Sequence, residues 1–133
     1  MKIPEKTVAD VVAEASKKMS EPNYSAVMVS GFVQTQRATA QYLTAHAREL
    51  GGSEGVVHAV FHSALLALCY QRAHNRTVRA LTFEDLDRGA SGDPEARLRT
   101  SQPHLLDYIV TNVELPAMRE ILITLALAMD WAT

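Results

Sequence analysis

The chain has a single cysteine, Cys69. An internal disulfide is therefore excluded, and a disulfide-stapled secreted scaffold with it. Apolar runs are short. The longest, ILITLALAMDWA near the C-terminus, falls well below the roughly 20 residues that a membrane span needs. No basic segment followed by an apolar core opens the sequence, so no signal peptide is expected and a cytoplasmic, non-membrane protein is the default reading. No stretch alternates with period two for long enough to make a strand. The P-loop, the dinucleotide-binding GxGxxG, the zincin HExxH and the paired Glu-x-x-His of di-iron bundles are all missing. No cofactor is expected. Lysine is missing too after Lys18, every later basic side chain apart from histidine being arginine.

Length and composition point to one ordinary domain, residues 1–133. A chain of 133 residues, 47 % hydrophobic and 21 % charged, buries roughly two thirds of its unfolded surface without help from a metal. The net charge of -2 argues against nucleic acid, which calls for a basic face. The six arginines between Arg72 and Arg99 are interleaved with five acids, so that region is close to neutral.

Helical periodicity is clear throughout. Val8, Val11, Val12, Ala15 and Met19 make one face of a first helix from about Pro4 to Met19. A long second helix is expected from Asn23, as N-cap, to Leu50, stopped by Gly51 and Gly52. Its polar middle, QTQRATAQ, predicts a kink or an exposed stretch. Ser53 is a candidate cap for a third helix that ends near Asn75. TFED (Thr82 to Asp85) reads as a capping box with Asp in place of Glu, opening a short helix closed at Gly89. Asp93-Pro94 is an N-cap and N1 pair. Pro103 requires a fresh start after Ser101 or Gln102, and Pro116 opens the last helix. The expected fold is an all-α bundle of five or six helices.

The stretch VVHAVFHSALLALCYQRAH, Val56 to His74, carries three of the five histidines and the cysteine. On a helical wheel Val57, Phe61, Ala64, Leu65 and Leu68 form its apolar face. His58, His62 and Cys69 share a flank. His58 and His62 are spaced i, i+4, which can clamp a metal from one side. Cys69 is two turns away and outside the same shell. The competing reading is that the two histidines border the core and bond to neighbouring groups, with Cys69 a small buried residue. A metal or enzymatic bundle using His58 and His62 is one alternative for function.

TAHARELGGSEG, from Thr44 to Gly55, bears comparison with histidine phosphotransfer domains, helical bundles with an exposed histidine followed by a lysine and then a glycine. Here Ala45-His46 is followed by Glu49, an acid where that motif has a cation, and Gly51-Gly52 come late enough to read as a helix stop. Phosphotransfer through His46 is a second alternative. A ligand pocket between helices, lined by Met28, Phe32, Tyr108 and Met129, is a third.

The last helix is apolar all round. Met118, Leu122, Leu125 and Met129 make one face, and Ile123, Leu127 and Trp131 make the opposite one. A helix of this kind is either central or packed on a second chain. With Trp131 so close to the end of the sequence, Ile123, Leu127 and Trp131 are expected at an oligomer interface, a two-fold dimer being the commonest closed form. The functional expectation is a small non-enzymatic helical module that self-associates and binds or regulates a protein partner.

Overall fold

The computed structural model describes residues 2–133, and among them every regular element is a helix. There are eight: α1 (Glu5–Lys18), α2 (Tyr24–Thr35), α3 (Arg37–Ala45), α4 (Ser53–His74), α5 (Phe83–Gly89), α6 (Pro94–Ser101), α7 (Pro103–Asn112) and α8 (Pro116–Trp131). The all-α class stands, and the expectation of five or six helices is corrected to eight. The helix starts read at Thr82, Asp93, Pro103 and Pro116 are all present, and the expected second helix breaks in two.

That break is at Gln36, whose backbone leaves the helical region (φ -127, ψ 61). The reason is tertiary. The Gln36 carboxamide is buried and serves as a clamp on the extended segment after α4. Its Nε2 donates to the Arg79 carbonyl at 2.9 Å, and its Oε1 accepts from the Leu81 amide at 2.8 Å. An extended segment without a strand partner thereby has two backbone groups satisfied by one side chain.

Several helix starts follow local rules. Thr82 and Asp85 form a reciprocal capping box, and Asp93 accepts from the Ala96 amide ahead of Pro94. Others do not. Asn23 occupies the N-cap position of α2 in the left-handed region without a side-chain bond. Gly52, not Ser53, precedes α4. Gly51 and Gly52 both have positive φ, as a stop signal requires, but α3 has already ended at Ala45 and a set of turns intervenes. Gly55 is needed in the first turn of α4, because a Cβ there would lie 1.7 Å from the Leu50 carbonyl oxygen.

Helix α8 is the centre of the bundle. It packs against α4, α5, α6 and α7, and every residue from Ile121 to Met129 is buried. The approach of α5 is close enough that a Cβ on Gly89 would meet the Thr124 carbonyl oxygen at 2.6 Å. The C-terminal end is tied in by polar contacts. Arg79 donates through its amide to the Ala132 carbonyl, and Gln102 links the Ile3 amide to the Asp130 carboxylate.

Candidate functional sites

The opposite face of α8 is accounted for within the chain. Ile123 and Leu127 are each 3 % exposed, covered by the surrounding helices. Trp131 is half-buried. Its indole Nε1 donates to Asp85 at 3.1 Å, and the Arg88 guanidinium lies over its ring at 4.3 Å. Ile123 and Leu127, which pointed to a second chain, thus help to build this chain's own core, and the half-buried Trp131 packs at its edge. Asp85 is the hub beneath it. It accepts two bonds from Arg79 (2.7 and 3.1 Å), one from the Thr82 amide and one from Trp131. The Arg79 guanidinium, first among these partners, holds its carboxyl well below the usual carboxylate range.

The helix wheel for α4 places its apolar face partly inward. Ala64 and Leu65 of the expected face are buried, Phe61 and Leu68 are half-buried and Val57 is exposed, while Ala59, Val60, Ser63, Leu66 and Tyr70 are buried as well. The buried side is therefore broader than the expected face and turned away from Val57, and the Phe61 edge is partly covered by α2 through an edge contact between the Tyr24 and Phe61 rings. Two apolar faces on one helix cannot be ranked by pattern alone when the helix is largely enclosed.

His58 is exposed, and His62 is half-buried with Nδ1 2.8 Å from the Tyr108 hydroxyl. Burial pushes the His62 imidazole below its ordinary value, and the neighbouring His58 adds to that. Among the described residues no three His, Cys, Asp or Glu side chains come together as a metal site. The donor set at His58 and His62 stops at two. Cys69 is buried, and its thiol is pushed up to about 12 by desolvation, the reverse of what a nucleophile needs.

His46 is half-buried and its Nδ1 donates to the Tyr42 carbonyl at 2.8 Å. Nδ1 therefore carries a hydrogen, and Nε2 is the ring nitrogen without a partner among the described residues. His46 lines a half-open cavity of about 700 Å³ together with Glu49, Asp93, Glu95 and Glu120. Four carboxylates around one imidazole make a poor setting for a phosphoryl group. The expected pocket of Met28, Phe32, Tyr108 and Met129 is not formed: Phe32, Tyr108 and Met129 belong to the core.

A surface that the wheel arguments missed is the outside of α2. This helix, YSAVMVSGFVQT, has no charged residue, and only Phe32 is buried. Its solvent side presents Ala26, Val27, Ser30, Gly31, Val33 and Gln34, with Val27 68 % exposed and Val33 39 % exposed. Beside it a shallow groove joins Ala26 and Val29 to the exposed Met19 and Val57. The signal was present in the sequence as a charge-free helix, which a surface position does not normally tolerate.

Comparisons with protein-family models, with curated proteins and with solved structures return no match for this chain.

Proposed function

We propose that this protein is a small non-enzymatic helical module that self-associates, and through the same surface engages a protein partner. The observation that carries the reading is the charge-free, mostly uncovered face of α2. Isolated exposed apolar residues are ordinary, as Phe83 and Leu115 are here. A whole helix face without charge, continuous with Met19 and Val57, is a different matter. Apart from Gln34, its outward residues are small or β-branched, so a second helix can approach closely. A two-fold contact that sets α2 against itself brings no like charges of that helix together, Glu21 lying at the border of the groove.

The candidate reactive groups support a binding role over a catalytic one. The Cys69 thiol is inert by burial, and His62 is engaged by Tyr108. The exposed face is modest in extent, which places the self-association at the weak end of specific interfaces. The test is the mass in solution of the wild type and of a variant carrying Val27→Glu and Val33→Glu. Loss of the dimer with retained helicity supports the reading, and a wild type that stays monomeric at high concentration refutes it.

A further inference from the structure

The cavity at His46 lies apart from α2 and has a chemistry of its own. Its floor is apolar, made by Pro116, Ala117, Ile121 and Ile123. Its wall is the Tyr42–His46 pair, whose rings lie 4.5 Å apart. Its rim is acidic. Asp93 is engaged as the α6 cap, and Glu95 is paired with Arg99 at 2.9 Å. Glu49 and Glu120 have no ion-pair partner among the described residues. The one guanidinium in the lining, Arg119, donates to the Val113 and Val110 carbonyls, so it is held by backbone and is poorly placed to receive an anion.

Two further groups face the same ligand class. His46 uses Nδ1–H on the Tyr42 carbonyl, so Nε2 is the ring nitrogen left without a partner among the described residues. Thr124 lines the cavity, the residue is only 5 % exposed, and its side-chain hydroxyl makes no hydrogen bond among the described residues. The hydroxyl is not sealed in the core, so it is open to a partner that enters the cavity. Acceptors thus outnumber available donors around an apolar floor.

We infer that this cavity binds a primary organic ammonium with an apolar body. The N–H donors meet His46 Nε2, the Thr124 hydroxyl and the Glu49 and Glu120 carboxylates, and the hydrocarbon lies on Ile121 and Ile123. Carboxylates and phosphates are disfavoured by the rim. The size suits a small molecule.

Phenethylammonium is a suitable probe, with 3-phenylpropionate as the match in shape and opposite in charge. Methyl and amide NMR spectra of the full chain are followed during titration. Phenethylammonium is expected to shift Ile123, Thr124 and His46 saturably, with a dissociation constant in the millimolar range or tighter, while 3-phenylpropionate leaves them in place. Glu49→Gln combined with Glu120→Gln changes two exposed side chains, so the fold is retained, and it should weaken binding roughly three- to tenfold. The proposal is overturned by the absence of saturable shifts at about 10 mM phenethylammonium, by equal binding of the propionate, or by unchanged affinity in the double variant with its helicity intact.

Discussion

The carboxamide of Gln36 holds the Leu81 amide at 2.8 Å across 45 positions of sequence, and with its other end the Arg79 carbonyl. It sits at the break between α2 and α3 and anchors the extended segment that leads into α5. The bond to Leu81 is buried and the one to Arg79 partly so, so removing the carboxamide leaves two backbone groups without their partner. Each orphaned group costs about 1–3 kcal/mol. Gln36→Leu is expected to lower stability by about 2–4 kcal/mol in a urea titration. A loss below about 0.5 kcal/mol, within the range of an ordinary surface change, would show that water replaces the clamp.

The burial of α8 makes a prediction that separates a core from an interface. Leu127 is enclosed by this chain's own helices. Leu127→Glu therefore puts a carboxylate into the centre of the bundle, at a cost of about 4 kcal/mol or more. The expected result is loss of helical circular dichroism, or a strongly lowered unfolding midpoint, without a folded monomer of halved mass. A well-folded Leu127→Glu chain that has only dissociated would return Ile123, Leu127 and Trp131 to an interface.

Acid should act in two steps. His62 has its folded-state value depressed by burial and by His58, so the unfolded chain takes up a proton first as pH falls below about 6.5. Stability is then lost from that point downward through the folded-state value. Asp85, depressed by Arg79 and by its bonds from Thr82 and Trp131, stabilises above its unfolded value of about 3.9. That contribution is lost as pH falls further. His62→Gln, which keeps a partner for Tyr108, should flatten the first step, and Asp85→Asn the second. Denaturant titrations from neutral to acid pH check both. Unchanged slopes in either variant would contradict the corresponding assignment.

Much of the fold is legible from local chemistry. The Thr82–Asp85 box, the Asp93-Pro94 start, and Pro103 and Pro116 as helix openings all depend on neighbours within one turn, and the structure keeps each of them. The break at Gln36 was only half legible: the polar composition marks a kink, but its partners lie at Arg79 and Leu81. The second face of α8 was read as surplus because periodicity reports that a face is apolar and not what covers it. The same limit applies to α4, where Ala64 and Leu65 of the expected face are buried but Val57 is exposed. The His46 cavity was out of reach for a related reason. Its lining comes from α3, the turn after it, the α5–α6 loop, the start of α6 and α8, and no spacing rule joins these segments.

The most direct measurement is the molar mass of the intact chain as a function of concentration, by light scattering or sedimentation equilibrium. The wild type is expected to rise from 14.6 kDa toward twice that mass over the range of about 10 to 300 µM. The Val27→Glu, Val33→Glu variant should stay at the monomer mass throughout, with its circular dichroism unchanged, since both side chains already meet solvent in the single chain. A wild type that remains monomeric at about 300 µM, or a double variant that associates as the wild type does, would contradict self-association through α2.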